Sequence, residues 1–235
     1  MDFGRGCALA LAFLGMTGPA SAQNDSSLVI PVLVYNYAKV SPETLHSAQR
    51  QAGRIFRETG VEFEWHECRV TTSEPQKDPY CSHGLRGTDL VLKILPQSRT
   101  QAFGVEKDVA GLVPPGEMVS DAFVFYDRLR DIARRESADV AFLLGSIIAH
   151  EFGHLLMGSE THSAGGVMRK EWTDRALAGA SVQEMEFSPQ QSQQIRLGAL
   201  ARNPKAGTDK LARSVGPPQR TVKDLGVGQL VNVRW

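Results

Sequence analysis

The most constraining feature of this sequence is an apolar run with the length of a helix, AFLLGSIIAHEFGHLLMG, which contains His150, Glu151 and His154. On a helix, residues four apart lie on one face, so the two imidazoles can reach the same point. Burying two His and a Glu in an apolar helix costs free energy unless they share a partner. The HExxH spacing predicts that this partner is a metal ion, with Glu151 beside it to take a proton from a bound water.

Two imidazoles leave a zinc site one protein ligand short, and the residues downstream of the helix must supply it. We choose His162, because imidazole is a good third zinc ligand and Gly158 can turn the chain back after the helix. Glu160 and Glu171 remain the alternatives, since a carboxylate is also an acceptable ligand. The sequence therefore predicts a zinc site with three protein ligands and one open position.

The stretch HEFGHLLMG…H…GVM resembles the metzincin zinc peptidases, whose pattern is HExxHxxGxxH followed by a methionine turn. It is closer still to a group of exported bacterial metzincin-like proteins with HExGHLLLG…HS…GIM followed by a tryptophan. The resemblance covers the helix, the His162-Ser163 pair, the turn at Met168, and Trp172. The loop between the second and third His is about two residues longer than in the common metzincin pattern.

This resemblance implies an α+β fold, in which a twisted, mostly parallel sheet with an antiparallel edge strand packs on the HExxH helix. A small, mainly helical C-terminal part follows. Met168 would support the zinc histidines from below, and an extended peptide would bind along an edge strand in the 100–118 segment.

The activity that the resemblance implies is hydrolysis of peptide bonds by a zinc-activated water, with Glu151 as the general base. Two alternatives stay open. The first is a non-catalytic zinc-binding domain of an exported complex, although a structural zinc site has no need of Glu151. The second is a zinc amidase that acts on a non-protein amide, such as one in the cell wall. Its chemistry is the same, and only the substrate distinguishes it.

Residues 1–22 have the features of a signal peptide. Arg5 gives a positive start, a short apolar stretch follows, and Ala20-Ser21-Ala22 matches a cleavage site. The apolar stretch is too short to span a bilayer permanently. We therefore expect a secreted or periplasmic protein that begins near Gln23, with no integral membrane segment once the leader is removed.

Past the leader, the sequence predicts a metallopeptidase-like domain over 23–202, with an upper part at 23–158 and a lower part at 159–202. Residues 203–235 are rich in Gly, Pro and charge, which is typical of a flexible tail. The 26 basic and 26 acidic side chains of the chain balance, so nothing suggests a nucleic-acid partner. The expected partner is a peptide or protein substrate, and we expect a monomer.

Cys68 and Cys81 are the two cysteines that remain after Cys7 leaves with the leader, and in an exported protein so close a pair predicts a disulfide. Closing this loop should stabilise the fold by about 3 kcal/mol. His66 and His83 flank the pair, so a metal site with two thiolates is the alternative. His66 falls on the solvent face of a predicted strand, where we expect an ordinary surface histidine.

Apolar periodicity places the remaining elements. Strands are predicted at 27–35, 61–66, 89–95 and 122–126, the first of them central in the sheet. Helices are predicted to begin at Ser41-Pro42 and at Ser188-Pro189, and the HExxH helix is predicted over about 138–157, capped by Ser137 or Asp139. Glycines at 145 and 153 inside this helix indicate close packing, because each weakens the helix by roughly 1 kcal/mol relative to Ala.

Overall fold

The computed structural model describes residues 27–71, 75–100, 103–105, 109–115, 120–159, 162–172, 185–202 and 231–232. The predicted signal peptide, Glu160 and nearly all of the predicted tail lie outside the described residues. In chain order the strands and helices are β1 (Leu28–Asn36), α1 (Pro42–Phe56), β2 (Val61–Cys68), β3 (Leu90–Leu95), α2 (Gln97–Thr100), β4 (Gly111–Val113), β5 (Asp121–Phe125), α3 (Tyr126–Arg135), α4 (Val140–Met157), α5 (Pro189–Arg202) and β6 (Val231–Asn232). Short 3₁₀ turns cover Arg57–Thr59 and Pro79–Ser82.

A mostly parallel sheet forms the centre of this mixed α/β fold, with the strand order β2-β1-β3-β5-β4-β6. The strands β2, β1, β3 and β5 run parallel to one another. The short strand β4 is antiparallel to β5, and β6 is antiparallel to β4 on its other side. The mostly parallel sheet was predicted from the sequence, whereas β6 was not.

The helices α1 and α4 cover one face of the sheet and enclose the main core. On β3, Leu90, Leu92 and Ile94 alternate towards these helices and are fully buried. The opposite face carries a smaller apolar cluster that includes Leu95 and Phe125. The strand β1 lies between two parallel neighbours, β2 and β3, as predicted from its apolar run. Its second face is only partly covered, since Val29 is 45% exposed.

The first turns of both core helices are fixed by side-chain caps. The Ser41 Oγ accepts a hydrogen bond from the Thr44 N–H at 3.3 Å at the start of α1. At the start of α4, the Asp139 Oδ1 accepts from the Ala141 N–H at 2.7 Å and from the Phe142 N–H at 3.0 Å. Of the two predicted caps, Asp139 is therefore the correct one, and α4 begins slightly later than predicted.

The two glycines inside α4 lie where other parts of the chain come close, as predicted. A Cβ on Gly145 would collide with the backbone carbonyl of Ala48 in α1. A Cβ on Gly153 would lie 2.6 Å from the Met168 Sδ. The low helix propensity of these residues is thus the cost of tight packing around α4.

The helix α5 packs against α4 and begins with the predicted capping box. The Ser188 N–H donates to the Gln191 side chain at 2.8 Å, and the Gln191 N–H donates back to the Ser188 Oγ at 3.2 Å. The apolar side chain of Leu197 is nevertheless 47% exposed. A Cβ at Gly198 would collide with the Leu156 carbonyl, and this close approach of the two helices buries a neighbouring face of α5 instead.

The predicted disulfide between Cys68 and Cys81 is confirmed, with the two Cα atoms 5.5 Å apart. The prediction for His66 is wrong, because this side chain is 9% exposed. The loop that the disulfide holds folds back over it. His66 Nδ1 lies 2.8 Å from the Asp78 Oδ2, and its ring stacks on that of Tyr80 with the centroids 4.1 Å apart.

Within the part of the chain that is described, α4 is long and apolar enough to cross a membrane by length and composition alone. However, 83% of this stretch is buried inside the fold. The core helix of a folded domain passes the same test.

Candidate metal centre

The last turns of α4 bring three titratable side chains into the protein interior. His150 and Glu151 are fully buried, and His154 is 3% exposed. The helix ends at Gly158, whose φ of +59° is a left-handed conformation that glycine adopts without strain. The chain then returns to the helix, and His162 joins the pair so that one ligand atom from each of the three residues lies within 4.8 Å of the others. Over the described ranges, these histidines are the only such group.

Two backbone carbonyls fix the orientation of the helix histidines. The Nδ1 of His150 lies 2.7 Å from the Val167 carbonyl oxygen, and the Nδ1 of His154 lies 2.7 Å from that of Ser159. A carbonyl can only accept, so each Nδ1 carries the proton and donates it. In the neutral rings both Nε2 atoms are left with a lone pair, yet they face each other at 2.9 Å. Two buried acceptors at this distance are unfavourable unless a proton or a metal ion lies between them, and burial disfavours the additional proton.

His162 completes a ring of three imidazoles around one point. Its ring centroid lies 5.3 Å from that of His150 and 5.0 Å from that of His154. The His162 Nε2 is buried and has no hydrogen-bond partner among the described residues. Of the two alternative ligands, Glu171 is exposed and is not part of the group, and Glu160 lies outside the described residues.

Burial keeps all three imidazoles in the form that binds a metal. It holds the pKa of His150 well below its usual value, and the neighbouring His154 lowers it further. Burial also lowers the pKa of His154, to about 4. The pKa of His162 is lowered mainly by burial and in part by the charge of Lys170. These residues are therefore neutral at pH 7, with lone pairs available for coordination.

Burial of Glu151 costs folding free energy, since neither carboxylate oxygen has a hydrogen-bond partner within the described chain. Burial raises the pKa of this carboxyl well above its usual value. The side chain lies against β4, because a Cβ at Gly111 would collide with the Glu151 Oε1. An unpaired buried carboxyl is unfavourable for folding, which indicates that it is retained for another reason.

The glycine-rich turn at 165–168 contacts α4 through the Met168 side chain and through the Val167 carbonyl. The Arg169 N–H donates to the Gly166 carbonyl at 3.2 Å and closes the turn. Met168 is fully buried and lies against Gly153, between the two histidines of α4. The preceding carbonyl of Val167 orients His150, as described above. The sequence predicted the turn and Met168 but not the role of this carbonyl.

Trp172 covers the same side of the centre. Its ring centroid is 6.2 Å from that of His150, and its indole N–H donates to the Arg169 carbonyl at 3.1 Å. The side chain is 6% exposed, so it shields the imidazole from water.

Sequence reasoning missed three participants in this geometry: the carbonyls of Val167 and Ser159, and Gly111. The carbonyls leave no signal in a sequence, because every residue has one. Gly111 does leave a signal, since a glycine at a strand often marks a close approach of another group.

Comparison with known proteins gives a distant structural relative. No protein-family profile matches the chain, and no curated protein matches its sequence. Among solved structures, the fold is similar to that of a zinc-dependent peptidase from Methanocorpusculum labreanum (strain Z). The two share 15% sequence identity, the match covers 70% of this chain and 99% of the other, and the TM-score is 0.47.

Proposed function

We propose that this protein is an exported zinc-dependent peptidase of the metzincin-like type. His150, His154 and His162 would hold the zinc, and Glu151 would be the general base. The observation that carries this proposal is the 2.9 Å contact between two Nε2 atoms whose rings both donate through Nδ1. Three neutral imidazoles are a donor set that suits zinc, and a site with three protein ligands keeps an open position.

When bound, zinc supplies a Lewis acid that lowers the pKa of a water and polarises the scissile carbonyl. Glu151 would accept the proton of that water at a carboxylate oxygen and return it to the leaving amine. The Val167 and Ser159 carbonyls keep the imidazoles in one orientation, and Trp172 limits access of bulk water to His150.

The non-catalytic alternative is disfavoured by Glu151. A structural zinc site needs ligands but no additional buried, unpaired carboxyl, and such a group lowers stability. The amidase alternative uses the same chemistry, and no contact in the described chain favours it. We therefore propose a peptide bond as the target, to be tested by cleavage of unfolded protein and of cell-wall peptides side by side.

Export is supported by the disulfide between Cys68 and Cys81, because disulfides persist in oxidising compartments. Together with the features of residues 1–22, it leads us to propose a secreted or periplasmic location. The mass of the protein recovered from the periplasm or medium should then correspond to a chain that begins at Gln23.

Zinc binding by three matched variants tests the proposed site. The wild-type protein, loaded with zinc and dialysed, should retain one zinc per chain by elemental analysis. His162→Ala should weaken zinc binding by roughly 100-fold or more, since it removes one of three ligands. Glu171→Ala is the matched control and should bind zinc like wild type. Glu160→Ala tests whether Glu160, the remaining alternative, is the third ligand.

Each result bears on a different part of the proposal. If only Glu160→Ala loses zinc, the metal site remains but His162 is not its third ligand. If the wild-type protein takes up no zinc at neutral pH, the proposed activity is wrong.

A further inference from the structure

The strand beside the proposed active site already has a partner from the same chain. On its inner side β4 pairs with β5, with Gly111 opposite Val124. On its outer side β4 pairs antiparallel with β6, with Val113 opposite Val231. The 231–232 segment thus occupies the sheet edge at Leu112 and Val113, directly after the glycine that contacts Glu151.

The hydrogen-bonding direction of each β4 residue follows from one contact. The Phe125 N–H donates to the Ala110 carbonyl at 2.8 Å, so the backbone groups of Ala110 face β5. Facing directions alternate along an antiparallel pair, so Leu112 also faces β5, and Gly111 and Val113 face outwards. The pair Val113–Val231 is therefore the one that exchanges hydrogen bonds between β4 and β6.

The outward-facing residue Gly111 is also the one that touches the proposed general base. A Cβ there would collide with the Glu151 Oε1, so the backbone of Gly111 forms part of the wall of the site. A peptide that adds to a sheet edge pairs through its backbone. Any extended peptide that paired with the outer edge of β4 would therefore run along this wall at Gly111 and past Val113, which β6 already pairs with.

We propose that the 231–232 segment is an autoinhibitory strand, which occupies in cis the β4 edge on which an extended substrate would pair. This inference rests on the proposed peptidase function and adds its regulation. A sheet edge accepts one strand at a time, so the segment and a substrate exclude each other. A tethered segment competes at an effective concentration of roughly millimolar, which is enough to exclude weakly bound peptides. Over the described residues the pairing is two residues long, which is short enough to open.

Two substitutions at one position test the pairing. Val231→Pro removes the backbone N–H that would donate to Val113, and proline cannot continue the ladder. Val231→Thr is the matched control, because threonine keeps the N–H and favours strands. The first measurement is hydrogen exchange of the Val113 amide in the metal-free protein. We expect faster exchange in Val231→Pro and wild-type exchange in Val231→Thr.

The second measurement is binding of a labelled peptide with the sequence of residues 226–235, GVGQLVNVRW, to the same metal-free proteins. It should bind Val231→Pro about tenfold or more tightly than Val231→Thr, because the tethered competitor is lost. The third measurement is cleavage of unfolded casein by the zinc-loaded proteins, which should be faster in Val231→Pro alone.

Failure of this inference can be told apart from failure of the proposed function. Equal exchange at Val113 in the two variants would overturn the inference, whatever the activity. Faster exchange without tighter peptide binding would also overturn it, because β6 would then cover the edge without competing. If no variant cleaves any substrate, the peptidase proposal fails, whereas the exchange and binding results still decide whether β6 blocks a peptide site.

Discussion

Two histidine clusters in this molecule differ in how their polar groups are satisfied. Each contains a buried imidazole and at least one carboxyl group. We call them the α4 cluster (His150, Glu151, His154 and His162) and the loop cluster (His66, Asp78, Tyr80 and Asp89). In the loop cluster, His66 contacts Asp78 at 2.8 Å, and the Tyr80 hydroxyl donates to the Asp89 Oδ1 at 2.8 Å. In the α4 cluster, the imidazole Nε2 atoms face each other and the Glu151 oxygens have no partner in the described chain.

The two clusters therefore displace carboxyl pKa values in opposite directions. The hydrogen bond from His66 lowers the pKa of Asp78, and that from the Tyr80 N–H lowers it further. Burial without a partner raises the pKa of Glu151. In the loop cluster both carboxylates have hydrogen-bond partners, although the buried His66 Nε2 has none among the described residues. In the α4 cluster the carboxyl has no such partner, and a metal ion would complete the donor set of the imidazoles. This difference at the carboxyl group separates the proposed active site from a structural histidine.

The largest predicted effect is on catalysis. Glu151→Gln keeps the shape of the side chain but cannot accept a proton, so we expect peptide hydrolysis to fall by about 10³-fold. Zinc binding should be retained, because the three imidazoles are unchanged. The measurement is the kcat of the zinc-loaded variant beside that of wild type. Wild-type activity in Glu151→Gln would remove the general base from the proposal while leaving the metal site in place.

Removing the disulfide should affect stability but not the metal. The double variant Cys68→Ala, Cys81→Ala frees the loop that covers His66, and we expect the free energy of unfolding to fall by about 3 kcal/mol. Zinc affinity should stay at the wild-type value, because the loop cluster and the α4 cluster are separate. Chemical denaturation and zinc titration measure the two quantities. Parallel loss of zinc affinity would show that the clusters are coupled.

Two glycine-to-alanine variants test how tightly residues pack around the α4 cluster. Gly153→Ala places a Cβ 2.6 Å from the Met168 Sδ, and we expect a net destabilisation of roughly 1–2 kcal/mol from overpacking. Gly53→Ala in α1 is the matched control, because nothing lies within 4 Å of its added Cβ. It should stabilise the fold by up to about 1 kcal/mol through helix propensity. Thermal unfolding gives both values, and equal signs would mean that Met168 moves away freely.

The structural features that could be predicted from sequence are those fixed by residues close together in the chain. The capping box at Ser188, the cap at Asp139 and the HExxH spacing are local patterns whose geometry follows from one helix. The central position of β1 followed from its apolar run. The third proposed metal ligand was harder to predict, because the sequence offered three candidates after the helix. The structure places His162 with the pair and leaves Glu171 exposed.

What the sequence did not reveal depends on contacts between distant segments. His66 has the alternation of a solvent-facing strand residue and is nevertheless covered by the loop that Cys81 anchors. Leu197 is apolar and yet exposed, because Gly198 sets the face of α5 that meets α4. The pairing of β6 with β4 joins two parts of the chain that share no local pattern. In each case the deciding contact lies far away in sequence.

The smallest predicted effect is the pH dependence of the loop cluster. Hydrogen bonds hold the folded pKa of Asp78 below its ordinary value of 3.8. The contribution of this carboxylate to stability is therefore fully present above pH 3.8 and is lost as the pH falls through the folded pKa. Asp78→Asn should lower the free energy of unfolding at pH 6 by less than about 1 kcal/mol, because the side chain is partly exposed. This difference from wild type should shrink below pH 3.8.

The control for this titration is Asp131→Asn, which removes one carboxylate from the exposed face of α3, where it pairs with Arg134. Subtracting its effect corrects for the change in net charge. Urea denaturation of the three proteins between pH 3 and pH 6 measures the difference. If Asp78→Asn and wild type differ equally at every pH, the carboxylate does not stabilise the loop through His66. The loop would then be held by the disulfide and by the stacking of His66 on Tyr80 alone.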